Sequence, residues 1–210
     1  MRFASKKEFR TFCKKRLFRK IFDKSVAKRL EELLSFLEAK RVLLYYPMEH
    51  EPDIKGLFRS LRGKADLYLP FMVGQSFVMV KFRLPLKKKR FKIFEPKISK
   101  PPKRIDLIIV PVIGVDGDFR RVGFGLGMYD QFFASLKYRP IVIFVQNKAC
   151  ITKQRLCDSY DIQGDLLITP KKIFIRGDSD VGRDIGRKLC SHSKWSCRIF
   201  PSEKNRKRKT

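Results

Sequence analysis

Arg121-Val-Gly-Phe-Gly-Leu-Gly-Met-Tyr-Asp130 is the stretch of this chain whose residue types and spacing suit chemistry. Glycines at alternate positions, Gly123, Gly125 and Gly127, remove the Cβ atoms that hold a backbone away from a ligand. An apolar run, Ile105 to Val110, precedes them and a helical pattern follows, giving the order strand, glycine loop, helix start. That order turns unpaired N–H groups toward an anion such as a phosphate. Arg121 adds a permanent charge with a fork of donors, and Asp130 an oxygen ligand of the kind Mg²⁺ takes. The pattern reads as a nucleotide site, although Gly-x-Gly-x-Gly alone also serves as an ordinary turn.

The elements that must hold this stretch are legible in the hydrophobic periodicity. Residues 5–22 have helical character, with Phe9, Cys13, Arg16 and Leu17 near one stripe. Ser25 stands as an N-cap for a second helix, Val26 to Lys40, on which Val26, Leu30, Leu33, Leu34 and Leu37 share a face. Val42 to Tyr46, Leu67 to Pro70, Phe77 to Phe82, Ile105 to Val110, Ile141 to Val145 and Leu166 to Thr169 read as strands. Asp53 caps a helix through Leu61, and Met128 to Leu136 forms another. Continuous apolar runs such as Ile141 to Val145 belong to strands covered on both faces. The expected fold is α/β: a single layered domain with a mostly parallel or mixed central sheet flanked by helices, two of them N-terminal. The pattern decays beyond Pro170, which predicts a domain over residues 1–175 and a basic, mobile C-terminal extension over 176–210.

Composition narrows the classes. A chain of 210 residues is long enough for one sizeable core. It has no apolar run of membrane-spanning length and no signal-peptide core at its N-terminus, so a cytoplasmic protein without a membrane partner is expected. Five widely spread cysteines in a chain with a core of its own point to free thiols rather than a disulfide framework. Cys190-x-His192-x₄-Cys197 offers three ligands at a spacing unlike the usual zinc patterns, and surface thiols are the better reading. The net charge of +28 is concentrated in residues 1–30, 81–104 and 171–210, and the remainder is balanced. That distribution suits either an enzyme for small anions or a basic nucleic-acid-binding protein on an α/β scaffold.

The run from Arg121 to Asp130 resembles the central signature of the 5-formyltetrahydrofolate cyclo-ligase (5,10-methenyltetrahydrofolate synthetase) family, approximately Arg-Leu-Gly-x-Gly-x-Gly-Tyr-Tyr-Asp. Further matches occur in the expected order: Lys6-Lys-Glu-Phe-Arg10, Glu51 with Asp53, Leu69-Pro70 followed by Met79, Glu95-Pro96, Gln146, and Asp161-x₃-Asp165-x₃-Thr169. The resemblance implies an ATP-dependent ligase that closes 5-formyltetrahydrofolate to 5,10-methenyltetrahydrofolate, releasing ADP and phosphate. It favours this over the nucleic-acid reading, which leaves those matches unexplained.

The residue roles it implies are as follows. ATP would meet Lys6, Lys7, Arg10, Arg121 and the loop Gly123, Phe124, Gly125, Leu126, Gly127, Met128 and Tyr129. The folate would meet Tyr46, Glu51, Met79 and the same loop from Phe124 to Met128, with Glu51 accepting hydrogen bonds from the pterin. Arg121 and Tyr129 would act at the reacting centre, and Asp130 and Asp161 would hold Mg²⁺. Phe124 and Leu126 stand where the family commonly has small, polar or basic residues. That shifts the phosphate contacts toward backbone N–H groups, Lys6, Arg10 and Arg121. Met128 replaces the first tyrosine of the signature, and Tyr160 a histidine often found before the late aspartate.

Overall fold

The computed structural model describes residues 1–17, 24–89, 93–190 and 196–200. Its central sheet contains, in spatial order, β12 (Cys197–Phe200), β11 (Ile173–Arg176), β10 (Leu166–Ile168), β9 (Ile141–Val145), β6 (Leu107–Pro111), β1 (Arg41–Leu43), β2 (Asp66–Val73) and β3 (Ser76–Lys81). The pairs from β10 through β9, β6 and β1 to β2 are parallel. β3 returns antiparallel beside β2, and β11 antiparallel beside β10. The expected mixed α/β sheet is therefore present.

Alternation along the strands assigns each side chain to a layer. Leu107 and Ile109 join the cluster that buries Val26, Leu30, Leu33 and Leu34 of α2 (Ser25–Phe36) and Leu57 and Phe58 of α3 (Lys55–Ser60). Ile108 and Val110 point to the other face, against Phe132 of α4 (Met128–Ala134). On that side lie α1 (Lys6–Leu17) and a small hairpin of β7 (Gly114–Val115) and β8 (Arg121–Val122). Phe9 and Cys13 of α1 pack there with Ile113, Val122 and Cys150. Among the described residues no helix is long and apolar enough to cross a membrane.

Several expectations are corrected. Ser25 is not a cap: it already lies inside α2, the preceding Lys24 is helical, and no side chain caps that end. Asp53 does serve the next helix, accepting the Lys55 N–H at 3.0 Å. The expected tail does not begin at 176. β11 runs through that boundary, α5 (Asp180–Cys190) packs on it, and β12 extends the sheet parallel to β11. Leu166–Ile168 is consequently not the last strand. Residues 18–23 and 201–210, where the first helix and the tail were expected to continue, lie outside the described residues. The thiol expectation fails for one pair: Cys13 on α1 and Cys150 form a disulfide, with Cα atoms 5.8 Å apart. Cys157 is a free thiol, and His192 lies outside the described residues.

Candidate functional site

The chain leaves β1 toward β2 on one side, then re-enters the sheet at β6 on the other side of β1 and continues to β9 and β10. The crevice at the carboxyl ends of β1 and β6 is thus a topological switch point, where open α/β sheets hold ligands. A cavity of about 300 Å³ occupies it. Tyr45 and Tyr46 follow β1 into its wall, Pro111 ends β6 there, and Pro70, Met72 and Phe77 come from the β2–β3 hairpin. Phe94 closes one end, and Phe124, Leu126, Gly127, Met128 and Tyr129 form the lid side. Glu51, His50 and Arg121 stand among these largely apolar walls.

Glu51 is held by the Met48 N–H, which donates to Oε2 at 2.9 Å. Burial pushes its carboxyl up from 4.5 to about 7, against the opposing pull of that hydrogen bond and of the Arg121 charge. A carboxylate in an apolar wall is an acceptor waiting for a ligand's N–H donors. Burial likewise lowers the His50 imidazole, so that ring is neutral; it meets Phe124 edge-on at 4.5 Å.

The glycine loop has a different reason at each glycine. A Cβ on Gly123 would sit 2.5 Å from Cζ of Arg121, so the guanidinium lies in the space this residue leaves open. Gly125 and Gly127 adopt φ of 108° and 66°, conformations that L side chains rarely reach. Arg121 itself is buried, lies 4.9 Å from the Tyr129 ring centre, and has Nη1 3.8 Å from Asp130 Oδ2. Its Nε is buried without a hydrogen-bond partner among the described residues. α4 has only seven residues, so its dipole adds little and the loop amides and side chains carry most of any anion binding.

α1 reaches the same rim. Arg10 Nε donates to the Gly123 carbonyl at 2.8 Å, and Lys6 Nζ bonds Asp161 Oδ2, with Asp158 at 3.8 Å. Burial works against the Lys6 charge, but the Asp161 hydrogen bond and nearby negative groups overcome it and raise the ammonium above its ordinary value. Lys7, one residue on, is exposed and makes no hydrogen bond or ion pair to this cluster among the described residues. Asp161 also accepts the Asp158 N–H at 2.7 Å, and Asp130 Oδ1 accepts the Ile162 N–H at 3.2 Å. Burial raises the Asp130 carboxyl; Arg121 and the Ile162 N–H oppose this, and the Asp161 charge adds to it. Ile162, whose N–H Asp130 accepts, directly follows Asp161 in the chain, so both carboxylates belong to the same rim. No group of three or more His, Cys, Asp or Glu gathers as a metal cage among the described residues. Two carboxylates suffice for Mg²⁺ when phosphates and waters complete its shell.

The structure thus brings together Lys6, Arg10, Tyr46, Glu51, Arg121, the loop from Gly123 to Tyr129, Asp130 and Asp161. It leaves Lys7 outside, and it moves Met79 off the cavity wall. Met79 pairs with Pro70 across the hairpin and is buried in the core, while Met72 lines the cavity in its place. Other sequence matches prove structural. Buried Glu95 accepts the Met72 N–H at 3.2 Å, which pins β5 (Phe94–Glu95) to β2. Gln146 ties Ile113 to Cys150 through both ends of its amide. Asp165 accepts from Val142 N–H, Arg139, Arg176 and Ser179. Sequence reading missed Met72, Phe77 and Phe94 as cavity walls, because an aromatic or methionine on a strand carries no sign of which packed face opens into space.

The chain is similar to known proteins over most of its length. The profile of the 5-formyltetrahydrofolate cyclo-ligase family matches residues 5–163. The chain is 27% identical over 119 residues to the 5-formyltetrahydrofolate cyclo-ligase of Haemophilus influenzae, covering 52% of this chain and 64% of that one. To the enzyme of the same name from Escherichia coli (strain K12) it is 26% identical over 147 residues, covering 65% and 81%. The NMR structure of Aquifex aeolicus 5,10-methenyltetrahydrofolate synthetase superposes with a TM-score of 0.69 at 28% identity, covering 83% of this chain and 94% of that chain. The profile match spans the cavity, the glycine loop and both aspartates of the rim, and the chain belongs to the 5-formyltetrahydrofolate cyclo-ligase family.

Proposed function

We propose that the protein converts 5-formyltetrahydrofolate to 5,10-methenyltetrahydrofolate at the expense of ATP, releasing ADP and phosphate. The observation that carries this reading is the position of Arg121. It lines the apolar cavity that holds Glu51 and also faces Asp130 at the rim, where Lys6 and Arg10 gather. An amide oxygen is a weak nucleophile, and as oxide it is a poor leaving group. Phosphorylation cures the second fault, and fixed positioning addresses the first.

The pterin would lie in the cavity, its ring N–H donors on Glu51 and its faces against Tyr46, Phe94 and Met128. The formyl oxygen would attack the terminal phosphorus of ATP at Arg121, displacing ADP. N10 would then attack the activated carbon, lose its proton, and expel phosphate as the ring closes. Arg121, Lys6 and Arg10 answer the charge of the phosphates, as phosphoryl transfer requires. Tyr129, packed edge-on against Phe77 at 5.0 Å, shields the reacting carbon from water. Its phenol is held neutral, since burial and the Glu51 charge raise it while Arg121 opposes. Mg²⁺ would be held by Asp130 and Asp161, where it would neutralise phosphate charge.

The test mixes the protein with 5-formyltetrahydrofolate, ATP and Mg²⁺ and follows the methenyl chromophore. Absorbance should grow only when ATP is present, and Asp130→Asn should abolish it with circular dichroism unchanged. A flat trace from folded wild-type protein that still binds ATP overturns the substrate assignment.

A further inference from the structure

Beside the cavity, and sharing Tyr46 and Phe94 with it, runs a second and larger groove of about 1420 Å³. Seven lysines and arginines line it, among them the exposed Lys55, Arg59, Arg62, Lys64 and Arg83. Its one acidic residue, Asp66, is taken by Lys81 at 2.7 Å. These cations come from α3, the turn after it and the segment after β3, so the fold gathers them on one surface instead of spreading them along one helix. Lys87, Lys88 and Lys89, all exposed, follow directly on from the groove wall at Leu86.

The floor is aromatic. Phe94, Tyr46, Phe58 and Phe82 form a chain of ring contacts, with centroids 5.0, 6.0 and 4.6 Å apart in that order. Cations alone would suit any polyanion, including carboxylates carried by a ligand seated next door. A row of rings between basic rims suits an anion that repeats and also carries flat bases. We propose that this groove binds single-stranded nucleic acid, with phosphates along the basic rims and bases against the half-buried Tyr46, Phe94 and Phe82 rings, which the buried Phe58 backs from the core.

The test measures fluorescence anisotropy of a labelled uridine oligonucleotide of about 12 nucleotides, a length within known single-strand site sizes, over a salt series. Three substitutions, Arg59→Glu, Arg62→Glu and Arg83→Glu, made together should weaken binding about 100-fold. They should also flatten the log–log salt slope by about 2, from roughly 0.7 per phosphate contact on single strands. A control carrying the same charge change outside the groove, at Lys137, Lys153 and Arg187, should lose far less. Phe82→Leu, which keeps an apolar contact with Phe58 but removes a ring, should cost about tenfold. Equal loss in both triple variants overturns the proposal in favour of a diffuse field. If inorganic polyphosphate or an oligo-glutamate competes as well as the oligonucleotide at equal charge, the rings contribute nothing and the nucleic-acid assignment falls. Thermal unfolding of each variant separates these outcomes from loss of fold.

Discussion

Replacing Glu51 with glutamine separates what the cavity needs for stability from what it needs for binding. The side chain keeps its shape and can still accept the Met48 N–H, so the change is chiefly one of charge. Burial raises this carboxyl from 4.5 to about 7 in the folded chain. The unfolded chain ionises it near 4.5, whereas the folded chain keeps the proton until about pH 7. The native state is therefore penalised progressively from pH 4.5 to 7, and the penalty is full above pH 7. At about 1.4 kcal/mol per pH unit of displacement, the plateau is at most about 3 kcal/mol, and water at the cavity mouth reduces it. Urea unfolding of wild type and Glu51→Gln at pH 5 and pH 8 measures it. The variant should gain on wild type by about 2–3 kcal/mol between those two pH values.

The same variant should lose function. Glutamine presents one carbonyl oxygen and an NH₂ where the pterin donors need two acceptors, so the KM for 5-formyltetrahydrofolate should rise about 30-fold, equivalent to about 2 kcal/mol. Wild type should show its own KM rise below pH 7 as Glu51 takes up a proton, and Glu51→Gln should not. A stability difference that is flat between pH 5 and 8 refutes the burial argument. An unchanged KM refutes the role in substrate binding, and the two results are independent.

Other consequences are open to measurement. Gly123→Ala sets a methyl where the Arg121 guanidinium lies; the flexible end of the arginine can yield, so circular dichroism should be unchanged while turnover falls about 100-fold from misplacement. Asp165→Ala removes the acceptor shared by Val142, Arg139, Arg176 and Ser179. It should cost about 3–5 kcal/mol in urea unfolding and open the segment after β11 to proteolysis. Cys13→Ser breaks a link between residues 137 apart in the chain and should lower unfolding free energy by about 3 kcal/mol, an effect that a reductant should reproduce on wild type but not on the variant.

How much of this was legible in the sequence depended on whether a residue's neighbours in the chain are also its neighbours in space. The core strands were, because Ile141 to Val145 or Ile108 and Val110 declare burial through their own apolar run. The C-terminal elements were not. α5 does space Val181, Ile185 and Leu189 at helical intervals, but Gly182 and Gly186 between them lower its helix propensity, and on β12 Ile199 is exposed, so the short strand shows no buried run. What fastens this region includes a buried carboxylate, Asp165, reaching Arg176 and Ser179, and hydrophobic patterning is blind to such a tie. The Cys13–Cys150 pair was hidden for the same reason, since spacing says nothing about thiols on different elements. Met79 was misplaced by depth: it shares a sheet face with Pro70 and Met72, yet sits beneath the cavity wall and not on it.

Arg121 shows the limit most sharply. Its place in the motif was readable, but the reason for its neighbour Gly123 was only half so: the missing Cβ was expected to admit a ligand's phosphate, and the group that lies in that space is the Arg121 guanidinium. A buried guanidinium normally takes a short bidentate carboxylate. Here the nearest carboxylate contact is a single 3.8 Å approach by Asp130, and Nε has no partner among the described residues. Folding gains little from such an arrangement, since desolvating the charge costs more than one loose ion pair returns. The arrangement makes sense if the guanidinium is held ready for a stronger anion than the protein supplies. Asp130 then keeps the side chain in place without satisfying it, and Gly123 gives it the room to lie flat against the loop.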